Sequence, residues 1–215
     1  MAKKSLQLKV CGMMELENLQ MVAALHPDYI GFIFYDQSPR YAGDSLTAEA
    51  AKGLPSGIAK VGVFVNSTTA FITGKVKEYQ LNLVQLHGGE TAEQCQQLRE
   101  KGLKVIKAFA MDNAFDFNRL IPYKPFVDYF LFDTKGKSFG GNGQLFDWRI
   151  LEAYDQEIPF FLSGGIALEH LEAIGALAGM NMHALDVNSK FEVYPGFKDI
   201  TKLQQLKKQL VEKEI

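Results

Sequence analysis

Eight short apolar runs, spaced about 25 residues apart and alternating with segments of helical character, predict a single-domain (β/α)8 barrel spanning residues 1–215. The runs are strand-length and rich in Val, Ile, Phe and Tyr, as expected of strands covered on both faces in a parallel sheet. The length of 215 residues suits eight units with little left for insertions. A doubly wound open sheet is the competing architecture, but the first strand-to-helix turn has no G-x-G-x-x-G fingerprint, and eight units favour closure.

The runs lie at 6–11 (LQLKVC), 29–34 (YIGFIF), 58–65 (IAKVGVFV), 82–86 (NLVQL), 103–110 (LKVIKAFA), 127–133 (VDYFLFD), 158–162 (IPFFL) and 183–187 (HALDV). The clearest helix is 91–102, which places Ala92, Cys95 and Leu98 on one stripe, opens on Thr91 as a cap and stops at Gly102. Helices are also expected near 15–26, 47–54, 68–80, 167–178 and 198–213, with weaker helical character at 114–122 and 146–154.

Hydrophobic residues make up 47% and charged residues 22%, which excludes a disordered or coiled-coil chain. Twenty-three basic against 25 acidic residues give a formal net charge of −2, so no broad basic field exists to neutralise a nucleic-acid backbone. No run approaches the ~20 apolar residues of a membrane span and no export signal stands at the start, so a cytoplasmic protein is expected. The two cysteines fit neither a disulfide framework nor a metal motif.

Barrel enzymes work at the C-terminal ends of their strands, so residues closing each run are the candidates. These are Cys11, Tyr35 to Tyr41, Asn66, His87, Asp133, Ser163 to Gly165, and Asp186 to Ser189. Cys11, followed by Gly12, would present its sulfur at the mouth, where a thiol of lowered pKa can accept a proton; the alternative is a small buried hydrophobe. Cys95 reads as core. Asp133 follows Phe130, Leu131 and Phe132, and partial desolvation there would raise its pKa and let it donate a proton; otherwise it caps a helix or pairs with Lys135 or Lys137.

The segments FLSGGI (161–166) and DVNSKFE (186–192) follow the seventh and eighth runs, where such barrels bind phosphate through backbone N–H groups. Gly164, Gly165, Asn188 and Ser189 are therefore candidate phosphate contacts, although Gly-Gly alone is also an ordinary tight turn. The glycine-rich segment 135–146 reads either as a lid or as a surface connection. Arg40, in the SPRY turn, could grip a carboxylate with its two-pronged guanidinium or simply be solvated. His26, His170 and His183 fall at helix positions or strand starts, and no histidine pair has metal-ligand spacing, so no metal site is expected. His87 reads as a partner for a neighbouring loop more than as a pocket residue.

Taken in order, KVCG (9–12), IGFIFYDQSPRY (30–41), VGVFVN (61–66), VQLHGGE (84–90), FLFDT (130–134), GGNGQLFDW (140–148), FFLSGGI (160–166), DVNSKFE (186–192) and PGFKD (195–199) resemble the phosphoribosylanthranilate isomerases of tryptophan biosynthesis. The resemblance implies an Amadori rearrangement of N-(5′-phosphoribosyl)anthranilate to 1-(2-carboxyphenylamino)-1-deoxyribulose 5-phosphate. It implies that the Asp matching Asp133 protonates the ring oxygen and that the Cys matching Cys11 removes the C2′ proton. It also implies that Arg40 holds the anthranilate carboxylate, that groups around Gly164, Gly165, Asn188 and Ser189 hold the phosphate, and that no cofactor or metal takes part. The partner is then a phosphorylated small molecule, with a monomer or homodimer as the assembly.

The chain departs from the family at Met13 and Met14, where a hydroxyl residue is usual. It reads GGNG for GGTG and NSKFE for SSGVE, and Lys190 could obstruct a tight turn or add charge to the phosphate site. The alternatives are another phosphosugar barrel, such as indole-3-glycerol-phosphate synthase or ribulose-phosphate 3-epimerase, and a non-catalytic barrel that binds a phosphorylated metabolite.

Overall fold

A computed structural model describes residues 6–43, 45–134, 147–177 and 179–213. In chain order the elements are β1 (Gln7–Cys11), α1 (Leu16–Ala23), β2 (Tyr29–Ile33), α2 (Ala48–Lys52), β3 (Ala59–Phe64), α3 (Thr69–Tyr79), β4 (Leu83–Leu86), α4 (Ala92–Glu100), β5 (Lys104–Met111) and β6 (Tyr129–Thr134). There follow β7 (Phe160–Leu162), α5 (Leu171–Gly175), β8 (Met182–Val187), β9 (Glu192–Tyr194), β10 (Phe197–Lys198) and α6 (Ile200–Glu212). Strands β1 to β8 form a closed parallel barrel in sequence order, so the barrel prevails over the open sheet. Each of the eight apolar runs is a barrel strand. β9 and β10 pair antiparallel outside it.

The strands form where β-branched and aromatic residues cluster, and both of their faces are covered. One parity, including Val10, Ile30, Phe64, Phe130 and Leu185, packs outward against the helices. The other, including Val61, Leu83, Ile106, Leu131 and Phe161, fills the barrel interior. At the N-terminal face, short polar residues ahead of three strands hold the neighbouring strand's first free N–H. Asp28 accepts from Leu8 N at 2.8 Å, Asn82 from Lys60 N at 2.8 Å and Asp128 from Val105 N at 2.8 Å.

Thr91 caps α4 as expected, accepting from Gln94 N, and Thr47, Thr68 and Asp199 do the same for α2, α3 and α6. Three helical expectations need correction. The weak segments near 114–122 and 146–154 are 3₁₀ helices at Phe117–Phe126 and Trp148–Ala153. Pro122 and Pro125 inside the first remove the donors that an α-helix would need. The segment 167–178 is a 3₁₀ turn at Leu168–His170 leading into the five-residue α5. His26 lies beyond α1 in the left-handed region at φ 49°, where its N–H returns to the carbonyl of Ala23. Among the described residues no helix is long and apolar enough to cross a membrane.

Candidate active site

A cleft of about 780 Å³, counting space open to solvent, lies at the C-terminal ends of the strands and is lined by residues from the ends of β1 to β4 and β6 to β8. Strand alternation delivers them. The inward parity that fills the interior lower down continues upward to Cys11 on β1, His87 just after β4 and Asp133 on β6. Ser163, Gly164, Gly165, Asn188 and Ser189 face the same cleft from the loops after β7 and β8, and Arg40 reaches it from the loop after β2.

Cys11 lines the cleft at the barrel mouth as expected, yet the residue is buried. Gly31 is its register partner on β2, and a Cβ there would lie 2.6 Å from Cys11 Sγ, so the glycine provides the thiol's space. Burial pushes the Cys11 thiol above its ordinary pKa, with Lys9 and Lys198 pulling the other way. On balance the protein's own groups therefore do not lower this thiol's pKa. Cys95 is buried behind β5, and burial pushes its thiol up to about 12.

A chain of polar side chains runs from the barrel interior up into the cleft. Lys9 Nζ donates to Asp186 Oδ2 at 2.8 Å and to Gln85 Oε1 at 2.5 Å. Gln85 Nε2 lies 2.8 Å from His87 Nδ1, and His87 Nε2 lies 3.1 Å from Asp133 Oδ2. Burial opposes the charge on Lys9, but Asp186 and Cys11 hold its pKa above the ordinary value. Asp186 Oδ1 is buried and accepts no hydrogen bond from the described residues.

His87 is thus a cleft residue in contact with Asp133, not the loop partner read from sequence. Glu90 supports its loop by accepting from Gly88 N and Asn66 N at 2.8 Å each, while its carboxylate also meets Lys107 Nζ at 3.1 Å. Asn66, a rim candidate by position, turns away from the cleft: its backbone is left-handed at φ 51° and its side chain accepts from Gly89 N at 2.7 Å. Its position at a strand end could not reveal this, because the residue has already entered the turn.

Arg40 is not solvated. Its Nε and Nη2 donate to Glu192 at 2.7–3.0 Å, and Glu192 also accepts from Lys198 Nζ at 2.6 Å. Burial would raise the Glu192 carboxyl, but Arg40 and Lys198 together hold it below its ordinary value. Lys198 Nζ reaches Asn188 Oδ1 at 2.7 Å, so one buried lysine ties the loop after β8 to the pair that orients Arg40. Nη1 of the guanidinium takes no part in these bonds to Glu192.

Gly164 has φ +90°, and a Cβ there would come within 2.3 Å of Thr134 N and 2.6 Å of Asp133 Oδ1. Only glycine lets this loop lie against the acid. Lys190 lines the cleft, and its backbone is outside the left-handed region, so nothing at that position demands glycine. Met13, one of the two methionines noted as a departure, is fully buried in the core. The glycine-rich segment 135–146, with Lys135, Lys137 and the GGNG motif, lies outside the described residues.

Sequence reading missed Lys9, Gln85, Glu192 and Lys198. For the first two the signal is present: each is a polar residue two positions before a cleft residue, on the same strand face.

Residues 8–209 match the family model for N-(5′-phosphoribosyl)anthranilate (PRA) isomerase. The chain is 44% identical over 205 residues to N-(5′-phosphoribosyl)anthranilate isomerase of Parabacteroides distasonis, covering 95% of this chain and 93% of that protein. It is 39% identical over 206 residues to the Phocaeicola vulgatus protein of the same name, covering 96% and 98%. The crystal structure of phosphoribosyl anthranilate isomerase from Thermotoga maritima superposes with a TM-score of 0.86 at 34% identity, covering 96% of this chain and 99% of that one. A phosphoribosyl anthranilate isomerase in complex with reduced 1-(o-carboxyphenylamino)-1-deoxyribulose 5-phosphate superposes at 0.80 with 32% identity, again covering 96% and 99%.

Proposed function

The chain belongs to the N-(5′-phosphoribosyl)anthranilate isomerase family, and from that premise we propose that Cys11 and Asp133 are the proton-transfer pair of its reaction. The protein is an isomerase of tryptophan biosynthesis, acting on a phosphorylated small molecule. The observation that carries the residue assignment is the presence of a thiol and a carboxylate from different strands in one cleft with the loops after β7 and β8.

In this reading the phosphate sits against backbone groups of Gly164, Gly165, Asn188 and Ser189, with the Lys190 ammonium adding charge at the edge. Arg40, steadied by Glu192, holds the anthranilate carboxylate with its remaining donors. Asp133, in its acid form, gives a proton to the furanose ring oxygen, and the C1′–O bond breaks to leave a cationic Schiff base. Cys11, as thiolate, then takes the C2′ proton, and the C2′–H electron pair neutralises the iminium to give the enolamine, which tautomerises to the aminoketose. The sequence is redox-balanced within the substrate and needs only proton transfers.

The raised pKa of the buried thiol fits this order. A cation generated next to the sulfur stabilises the thiolate just when a base is needed, and Lys9 and Lys198 add to that field. Asp186 Oδ1, which accepts from none of the described residues, is available to accept from a substrate hydroxyl. We also propose cytoplasmic action and a monomer or homodimer, with a T. maritima relative described as dimeric.

The test generates phosphoribosylanthranilate in situ and follows the loss of its fluorescence. Cys11→Ala and Asp133→Asn are expected to fold and to lose at least about 10²-fold in turnover each, the scale of positioned proton transfer. A folded variant of either kind with parental turnover removes that residue from the mechanism. No decay above the spontaneous rate with the parent protein refutes the reading as a whole.

A further inference from the structure

The mechanism above uses Asp133 but leaves open which of its oxygens carries the proton; it gives Lys9 only a field at the thiol and assigns nothing to Gln85 or His87. The hydrogen-bond chain decides both. A protonated lysine donates and never accepts, so the Gln85 atom 2.5 Å from Lys9 Nζ is the amide oxygen. Lys9 is fully buried between Asp186 and Gln85, and Asp186 keeps it charged. With the amide oriented in this way, Gln85 presents its NH₂ to His87 Nδ1 at 2.8 Å, and that nitrogen must be the acceptor. The ring proton is then on Nε2, which faces Asp133 Oδ2 at 3.1 Å.

We propose that Lys9, through Gln85, fixes His87 in the Nε2–H tautomer, so that His87 donates to Asp133 Oδ2 and leaves Oδ1 as the oxygen that delivers the proton. Oδ1 is the oxygen beside Gly164, whose missing Cβ keeps that side of the carboxyl clear. Lys9, Gln85 and His87 are therefore positioning residues. The polarity of one buried ammonium on β1 is transmitted across the barrel to the orientation of the acid on β6. The catalytic consequence rests on the proposed role of Asp133, whereas the tautomer does not.

The two parts are tested separately. In ¹⁵N-labelled protein near neutral pH, the His87 ring, assigned by its loss in His87→Gln, is expected to show an unprotonated Nδ1 and a protonated Nε2. A protonated Nδ1 in the parent protein overturns the proposal, and this measurement needs no variant of the chain below it. Gln85→Glu turns the group facing Nδ1 into an acceptor and is expected to move a proton onto Nδ1. Turnover should fall by about 10- to 100-fold with KM little changed, the scale of one hydrogen bond to a charged group. His87→Gln, which keeps an N–H donor for Asp133, is expected to retain more turnover than His87→Ala. A Gln85→Glu protein with the parental tautomer and turnover, or equal turnover in the two His87 variants, also overturns it. Full activity of Asp133→Asn, with the tautomer as described, refutes the role of Asp133 and leaves the lock intact.

Discussion

Replacing Gly31 by alanine adds one methyl group beside the thiol. Its carbon would lie 2.6 Å from Cys11 Sγ and 3.2 Å from Cys11 Cα and Cβ. A relaxed contact needs about 3.5–4.0 Å, so the sulfur or the strand must move by about 1 Å. Overpacking of this kind costs about 1–3 kcal/mol. The backbone at Gly31 is not left-handed, so alanine returns about 0.4–1 kcal/mol by stiffening the unfolded chain. The net loss is therefore at most about 2.5 kcal/mol, a fall in Tm of at most about 10 °C for a chain of this size.

Activity should suffer more than stability, because displacing a reacting group by 1 Å can cost about 10²-fold in rate. Thermal unfolding and the fluorescence assay, run on Gly31→Ala and on Gly31→Ala combined with Cys11→Ala, separate the two effects. Removing the sulfur relieves the clash, so the double variant should be more stable than Gly31→Ala yet inactive. Parental turnover in Gly31→Ala refutes the argument that the thiol's position matters, and a double variant no more stable than the single one refutes the clash.

Two further outcomes follow from the buried charges. Lys9→Met leaves Asp186 buried without its cation and should cost about 3–5 kcal/mol in urea unfolding, whereas adding Asp186→Leu should recover most of that stability. The recovered protein should remain impaired in turnover, because Gln85 and His87 have lost their orienting donor. Glu192 has its carboxyl held below the ordinary value of 4.5 by Arg40 and Lys198 against burial, so its stabilisation is complete above about pH 4.5 and is lost as pH falls through the folded-state pKa. Urea unfolding of Glu192→Gln should show a deficit at neutral pH that narrows under acid conditions, and a deficit independent of pH contradicts the assignment.

Much of the fold was legible because a strand buried on both faces leaves a local trace, a short apolar run rich in branched and aromatic residues. Helix type at 117–126 was less legible, since the effect of Pro122 and Pro125 depends on which backbone donors they remove. Within the site, Cys11, Asp133 and the loops after β7 and β8 were visible by their place at strand ends. Lys9 and Gln85 left a fainter trace, a polar residue two positions before a strand-end candidate, whose meaning depends on both sharing the inward face. Arg40 could be read as a carboxylate binder but not as a held one, because Glu192 lies 152 residues away.

By itself the sequence determined eight strand–helix units, the family they resemble, and the residues that close each strand. Barrel closure decided the rest. It sets β1 beside β8 with Lys9 opposite Asp186, residues 177 apart in the chain, and so creates the buried pair from which the orientation of Gln85, His87 and Asp133 follows. Local propensity acts over a few neighbouring residues, whereas the electrostatics of this cleft depend on charges that meet only when the last strand returns to the first.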